Sequence, residues 1–249
     1  CPAGLCVIEV DAAARARLSA AYGVPCLAHA NDGLPADGLI VLAVKPQQMQ
    51  AAIAPLAGRL SRQIVVSIAA GLRLGTLSRW LGGYRRIVRA MPNTPSMIGA
   101  GITGLCAFPE VSAEERLAAE DVLRAVGSTL WVADESGMDA LTAVSGSGPA
   151  YVFLFIEALQ QAAVDLGFAP EAARQLALQT FSGAAQLAIR SEEDVTVLRQ
   201  RVTSKGGTTE AALRAMLDAG IQKTILAGVR AANARSIELG QMLDQDAAP

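Results

Sequence analysis

The chain has 249 residues, a net charge of −2 and 52% hydrophobic residues, a composition that excludes an intrinsically disordered chain. Its length fits one large or two ordinary globular domains. The balanced charge, without a run of basic residues, argues against a nucleic-acid partner. The longest uninterrupted apolar stretches, residues 39–44 and 64–70, have the length of strands, so we expect no membrane span.

The cysteines and the single histidine argue against a metal or disulfide framework. Four cysteines, Cys1, Cys6, Cys26 and Cys106, form no C-x-x-C pair. The one histidine, His29, stands in a polar turn beside residues 31 and 32 and is expected at the surface. We therefore expect no metal site, no Ser-His-Asp hydrolase and a location in the reducing cytoplasm.

Strand and helix patterns alternate in the first half of the chain. Apolar runs predict strands over residues 5–10, 39–44, 64–68, 86–90, 102–108 and 129–132. Helical patterns cover residues 12–22, 46–57, 74–81 and 112–125. Because strands buried on both faces are continuously apolar, this alternation predicts an α/β domain with a mostly parallel sheet over residues 1–136.

The second half carries helical patterns only. They cover residues 138–144, 150–166, 170–190, 194–202, 209–218 and 221–242. The helix over residues 150–166 is apolar nearly all round, which is typical of the centre of a core or of an oligomer interface. The sequence therefore predicts an all-helical domain over residues 137–249.

Small or special residues follow three successive predicted strands. They are Ala43, Val44, Lys45 and Pro46 after the first, Ala69 and Ala70 after the second, and Asn93 after the third. Ligands of open parallel sheets bind at the carboxyl ends of the strands, where small residues let a flat ring or a phosphate approach the backbone. One such segment alone would indicate an ordinary turn, but three in one sheet favour a ligand site.

Two further segments of this half carry nucleotide-binding signals. Glu9 ends the first predicted strand, where an acid can bind a ribose 2′-hydroxyl and favour NADH over NADPH. Asp11 could do the same, although an N-cap of the following helix is the simpler role. A G-x-G-x-x-G pattern runs from Gly99 to Gly104, but it lacks the preceding strand and following helix, so we do not expect it to bind a pyrophosphate.

The segment V-T-S-K-G-G-T-T, residues 202–209, is the most distinctive of the chain. Two glycines flanked by hydroxyl side chains precede a predicted helix, which offers several donors at a positive helix end. The pattern favours a site for a carboxylate or phosphate over a plain helix–helix turn. Thr142 and the segment S-G-S-G-P, residues 145–149, lie near the predicted domain junction.

Four motifs together resemble one family. V-K-P after a strand, M-P-N-T-P, S-G-S-G-P-A-Y and V-T-S-K-G-G-T-T occur in the order found in Δ1-pyrroline-5-carboxylate reductases. The resemblance spans residues 5 to about 242. It implies a Rossmann-type domain, an all-α dimerisation domain, assembly into dimers and larger rings, and reduction of a cyclic imine to L-proline with NADPH or NADH.

The resemblance also implies roles for individual residues. Thr142 matches the threonine that faces the imine nitrogen of the substrate. The loop that holds the substrate carboxylate matches Ser204, Gly206, Gly207, Thr208 and Thr209. The cofactor face matches Val44, Lys45 and Pro46 together with Ala69, Ala70 and Asn93. One departure is large: nothing here corresponds to the family's first strand and glycine-rich turn, a unit of roughly 20–30 residues with its helix.

Two alternatives remain open on the residues alone. Another Rossmann-type reductase, acting on a small hydroxy or keto acid, could use Lys205 or Lys223 beside the reacting carbonyl. A non-catalytic ligand-binding remnant is the second alternative, because the expected pyrophosphate turn has no counterpart in this sequence.

Overall fold

The computed structural model describes residues 4–30 and 34–245. Cys1 and the two polar neighbours of His29, residues 31 and 32, lie outside the described residues. The chain forms two compact units, Cys1–Asp139 with Ile237–Pro249, and Ala140–Ser236. The predicted boundary after residue 136 lies just before this division. No pattern in the sequence indicates that the last residues of the final helix belong to the first unit.

The described residues of the first unit contain seven strands, which form two sheets. They are β1 (Val7–Ile8), β2 (Cys26–Leu27), β3 (Leu39–Leu42), β4 (Ile64–Ser67), β5 (Ile87–Met91), β6 (Gly101–Ala107) and β7 (Gly127–Trp131). β1 pairs with β2, while the other five lie in the order β3-β4-β5-β6-β7. Every pair is parallel except β5 with β6, which confirms the predicted mostly parallel sheet.

The antiparallel pair follows from a short connection. β5 and β6 are joined by residues 92–100, which hold only the short 3₁₀ helix Thr94–Ile98. A parallel crossover needs about a dozen residues or more, usually with an α-helix. The chain therefore turns back on itself, and Met91 lies opposite Gly104.

In the described part of the first unit, four α-helices accompany these strands. They are α1 (Ala12–Tyr22), α2 (Pro46–Ile53), α3 (Leu74–Trp80) and α4 (Ala113–Arg124). Pro46 occupies the first turn of α2, where its missing N–H costs nothing. Ser112 and Glu115 form a reciprocal capping box at the start of α4. Gly23 ends α1 with a φ of 64°, a conformation that glycine adopts without strain.

Apolar residues fill both faces of the five-stranded sheet. Val65 and Ile87 belong to one buried cluster, whereas their neighbours Val66 and Val88 belong to the other. Successive strand side chains point to opposite faces, so a strand covered on both sides must be apolar at every position. This explains the continuous apolar runs in the sequence.

The second unit is built from helices, and its described residues contain no strand. After α5 (Ser136–Leu141) and the π-helical turn Thr142–Gly146 follow α6 (Gly148–Asp165), α7 (Pro170–Arg190), α8 (Val195–Arg201), α9 (Thr208–Asp218) and α10 (Ile221–Gln245). α6 packs on α7, where Phe155 and Phe181 meet edge to face with ring centroids 5.2 Å apart. α5 joins the two units, and α10 begins in the second unit and ends in the first.

The helix α6 leaves large apolar side chains exposed. Phe153 and Leu154 are 62% and 67% exposed, whereas a helix of this composition normally buries such groups. Among the described residues, the stretch Ser136–Asp165 is long and apolar enough to cross a membrane by length and composition alone. A single helix of this kind is weak evidence for a membrane span, because core helices pass the same test, so the expected absence of a span stays a prediction.

Candidate active site

Three parallel strands bring most of the predicted cofactor residues to one edge. Leu42 is paired with Ser67, and Ser67 with Arg89, so β3, β4 and β5 end side by side. The residues that follow these ends are Ala43, Val44, Lys45 and Pro46, then Ala69 and Ala70, then Asn93. Ala43, Lys45 and Ala70 are exposed there, while Ala69 is buried. The edge therefore presents small side chains and one lysine to a ligand.

Asn93 also has a structural role that the sequence did not indicate. Its side-chain oxygen accepts a hydrogen bond from the backbone N–H of Ile102 at 3.0 Å. This bond ties the end of β5 to the start of β6 across the 3₁₀ turn. The Asn93 side chain is thereby held in a fixed orientation at the sheet edge.

Glu9 lies at the end of β1, in the two-stranded sheet. Its carboxylate accepts the backbone N–H of Asp11 at 2.9 Å, and its carbonyl accepts a hydrogen bond from Arg15 at 2.7 Å. Asp11 caps α1, since its carboxylate accepts the N–H groups of Ala13 and Ala14. The hydrogen bond from the N–H of Ala14, and after it the weaker effect of the bond from Ala13, lower the pKa of Asp11. The structure thus gives Asp11 its simpler role as an N-cap.

The G-x-G-x-x-G pattern is part of the sheet. Gly101 and Gly104 lie in β6, and the strand continues to Ala107 instead of giving way to a helix at the last glycine. A Cβ at Gly101 would collide with the Oγ and the backbone of Ser96, and one at Gly127 would collide with the backbone of Gly101. These glycines allow close packing of three segments, as expected for a pattern that is not a pyrophosphate fingerprint.

Thr142 begins the π-helical turn Thr142–Gly146 in the second unit. Its carbonyl accepts the N–H of Ser147 at 2.8 Å, and the carbonyl of Ala143 accepts the hydroxyl of Tyr151 at 3.1 Å. The side chain of Thr142 is half-buried. Single π-helical turns are rare and occur often at functional sites, so this irregularity supports the interest in Thr142.

Ser204, Gly206 and Gly207 lie in the turn between α8 and α9, and Thr208 and Thr209 are the first residues of α9. α9 begins at Thr208, and its N-cap Gly207 offers no side-chain cap. The Gly206 backbone has a φ of 74°, and the N–H of Gly207 donates to the carbonyl of Ser204 at 3.0 Å. A tight turn therefore leads into a positive helix end that lacks a side-chain cap, which suits an anion.

Glu210 is a site residue that the sequence reasoning missed. Its carboxylate accepts the N–H of Gly206 at 2.7 Å and lies 3.8 Å from the guanidinium of Arg214. A glutamate at the third position of a helix commonly reaches back to the turn before it, so this spacing was a usable signal. Glu210 fixes the shape of the turn on its N-terminal side.

Comparison with known proteins places the chain in one family. Residues 135–239 match the family model described as pyrroline-5-carboxylate reductase dimerisation. The pyrroline-5-carboxylate reductase of Pseudomonas aeruginosa is 43% identical over 232 residues, which covers 93% of this chain and 85% of that protein. The Synechocystis enzyme of the same name is 40% identical over 96% of this chain and 89% of its own length.

Solved structures agree with these relatives. A pyrroline-5-carboxylate reductase from Coxiella burnetii aligns with a TM-score of 0.88 at 40% identity, covering 94% of this chain and 87% of that one. The Plasmodium falciparum pyrroline carboxylate reductase with NADP bound aligns with a TM-score of 0.75 at 34% identity, covering 81% of this chain and 77% of that one. Sequence and fold therefore agree that the chain belongs to the pyrroline-5-carboxylate reductase family.

Proposed function

We propose that this chain reduces the C=N bond of 1-pyrroline-5-carboxylate to give L-proline, with NADPH or NADH as the reductant. Family membership over most of the chain supports the reaction. The observation that carries the proposal is the turn before α9, where glycines and hydroxyl side chains precede a helix start without a side-chain cap. Such a turn suits the carboxylate of a small imino acid.

The edge of β3, β4 and β5 fits a nicotinamide cofactor. The side chains of Ala43, Ala69 and Ala70 are too small to block a flat ring from the backbone, and the carboxyl edge of a parallel sheet is the usual ligand side. Val44, Lys45, Pro46 and Asn93 complete this face. The cofactor, when bound, supplies two electrons and one hydrogen to the carbon of the C=N bond.

The chain's own residues bind and orient the substrate. The segment Ser204, Gly206, Gly207, Thr208 and Thr209 holds its carboxylate with hydroxyls and with the N–H groups of the first turn of α9, since the N–H groups of Gly206 and Gly207 already donate to Glu210 and Ser204. The hydroxyl of Thr142 hydrogen-bonds the imine nitrogen and fixes the plane of the C=N bond. A protonated imine is already electrophilic, so the chemistry needs orientation more than a strong acid. Histidine is not required in this arrangement.

Glu9 is proposed to contact the adenosine ribose. It ends β1, the position from which an acid reaches a ribose 2′-hydroxyl. β1 and β3 are not paired with each other, and in a doubly wound sheet the first strand lies between the second and the fourth. A first strand with its glycine-rich turn, placed between β1 and β3, would bring the pyrophosphate site beside Glu9.

The chain carries the family's dimerisation region and forms homo-oligomers. We propose that the exposed apolar face of α6 lies against a second copy rather than a lipid bilayer, and that dimers assemble further into rings. The free thiols of Cys6, Cys26 and Cys106 suit a reducing cytoplasm. The net charge of −2 gives no reason to include a nucleic-acid partner.

Oxidation of NADH and NADPH, followed at the nicotinamide absorbance with and without pyrroline-5-carboxylate, tests the proposal. The assay uses this chain and the same chain extended at its N-terminus by the first strand, glycine-rich turn and helix of a relative. Substrate-dependent oxidation and proline formation in either chain are the expected result. A folded extended chain that binds the cofactor yet forms no proline would instead favour the non-catalytic ligand-binding protein.

A further inference from the structure

The last turns of α10 pack against the loop that carries Ala69 and Ala70. This loop, residues 68–73, joins β4 to α3 and is called the β4–α3 loop below. Leu243 packs on the apolar core of the first unit, and its Cδ1 lies 3.0 Å from where a Cβ at Gly71 would stand. A Cβ at Gly240 would lie 3.1 Å from Nε of Arg73. The helix and the loop therefore approach each other closely at two glycines, where a larger side chain would be crowded.

Polar contacts also hold the end of α10 against the β4–α3 loop. The carboxylate of Asp244 pairs with the guanidinium of Arg73 at 3.3 Å and accepts a hydrogen bond from the hydroxyl of Thr76. Thr76 is 1% exposed, so its hydroxyl donates to Asp244 in place of water, and it accepts a hydrogen bond from Arg79 at 3.4 Å. The guanidinium of Arg79 donates to the carbonyl of Asp244 at 3.5 Å. The end of α10 is therefore bonded to the loop and to the first turns of α3.

The β4–α3 loop is also held from its other side. The carboxylate of Glu135 accepts the N–H of Leu74 at 2.8 Å, and Ser67 Oγ accepts the N–H of Ala69 at 3.4 Å. These bonds and the buried side chain of Leu72 fix the loop on the side of the core, while Gly71 and the side chain of Arg73, its last residue, contact α10. The position of the loop's exposed edge thus depends on the final helix.

We propose that Leu243 and Asp244 are positioning residues that set the β4–α3 loop for the nicotinamide ring. This inference rests on the proposed function, in which Ala69 and Ala70 form part of the cofactor face. The match to the dimerisation-family model ends at residue 239, before either residue. α10 starts directly after α9, whose first turn carries the proposed substrate loop.

Hydrogen exchange of the protein without cofactor tests the contact itself. Asp244→Asn and Leu243→Ala should each speed exchange in a peptide covering residues 68–76 by about tenfold, because local opening requires breaking these contacts. A peptide covering β6 should be unaffected, and so should the midpoint of global unfolding. Asp218→Asn, an exposed acid at the end of α9, is the matched control. Unchanged exchange in both variants would overturn the proposal.

Cofactor binding separates positioning from a purely structural role. Asp244→Asn should raise the dissociation constant of NADH or NADPH, measured by fluorescence titration of the extended chain, by about fivefold to tenfold. In turnover, the KM for the cofactor should rise in proportion, while the KM for pyrroline-5-carboxylate stays within about twofold. Asp244→Glu should restore part of the affinity. Faster exchange with an unchanged dissociation constant would overturn the positioning role.

These measurements also separate the inference from the proposed function. If the unaltered chain binds NADH but does not reduce pyrroline-5-carboxylate, the proposed reaction fails. Exchange rates and dissociation constants still decide whether Leu243 and Asp244 position the loop. If the unaltered chain is active and both variants match it in exchange and in cofactor binding, the inference fails while the reaction stands.

Discussion

The guanidinium of Arg89 and the carboxylate of Glu135 form an ion pair of 2.9 Å inside the first unit. The Arg89 side chain is 3% exposed, whereas Glu135 is 28% exposed and also accepts the N–H of Leu74. A charge as deeply buried as that of Arg89 is stable only with its partner in place. The pair therefore joins β5, the start of α3 and the segment before α5 into one network.

Glu135→Gln should lower the free energy of unfolding by about 3 kcal/mol, since it leaves the Arg89 charge buried without a counter-ion. Urea denaturation followed by far-ultraviolet circular dichroism gives this value. Glu110→Gln breaks the exposed pair with Arg85 and should cost less than about 1 kcal/mol. Equal costs for the two variants would contradict the role given to burial.

Stability should fall in acid through Glu115. Its burial alone would raise its pKa, but hydrogen bonds from Ser112 and from the guanidinium of Arg86 outweigh burial and lower the pKa. The pKa of a glutamate in the unfolded chain is about 4.3. The stabilisation is therefore complete above that pH, and it is lost as the pH falls through the lower pKa that Glu115 has in the folded state.

Glu115→Gln tests this pH dependence. The variant should be less stable than the unaltered chain by about 2 kcal/mol at pH 7, and the difference should shrink as pH falls from 5 to 3. Urea denaturation at each pH measures this difference in the free energy of unfolding. Glu114→Gln changes an exposed acid one residue away and serves as control. A difference that stays constant with pH would refute the assignment to Glu115.

Gly101→Ala should destabilise the chain by more than about 3 kcal/mol, because its Cβ would overlap the backbone of Ser96. Gly99→Ala has open space around it and a φ of 71°, so only backbone strain of about 1–2 kcal/mol is expected. Thermal unfolding of both variants distinguishes them. Similar losses at the two glycines would argue against the packing explanation for this motif.

Phe153→Glu should weaken self-association by about 30-fold or more, since Phe153 lies on the exposed apolar face of α6. Sedimentation velocity over a dilution series measures the effect. Leu117→Glu, on an exposed position of α4 in the first unit, is the control and should leave the sedimentation coefficient unchanged. If the Phe153 variant sediments like the unaltered chain, this face of α6 is not an interface.

Thr142→Ala should lower kcat by about 10-fold to 100-fold, the loss of one hydrogen bond to a charged group, with little change in the unfolding midpoint. Steady-state kinetics with pyrroline-5-carboxylate gives the value. Thr224→Ala removes a helix hydroxyl that only bonds the carbonyl of Gly220, and should leave kcat intact. An unchanged kcat at Thr142 would remove this threonine from the chemistry.

Local features of the fold were predictable because local rules produce them. The bounds of α1 follow from Asp11 and Gly23, and the start of α7 follows from Pro170, since these residue types favour helix ends. Strand positions followed from apolar runs. Strand lengths did not, since β1 keeps only Val7 and Ile8 of the predicted residues 5–10. Pairing with a neighbour decides where a strand ends, and the sequence pattern does not state the neighbour.

Some features of the candidate site were likewise predictable from the sequence, and others were not. The sequence alone identified the strand ends at Ala43–Pro46, Ala69 and Asn93 and the glycine turn before α9, because these residue types occur where backbone must approach a ligand. It did not reveal that Asn93 bonds Ile102 or that Thr142 begins a π-helical turn. Both depend on packing around the segment.

The sequence by itself determined the α/β and helical halves, the caps and the family motifs, since each is set by residues within a few positions of one another. Only the tertiary structure decided that Arg89 pairs with Glu135, and that Asp244 returns to Thr76, 168 residues earlier in the chain. Contacts between distant residues leave no periodic pattern along the chain. They arise because the folded core brings those surfaces together and excludes the water that would otherwise solvate them.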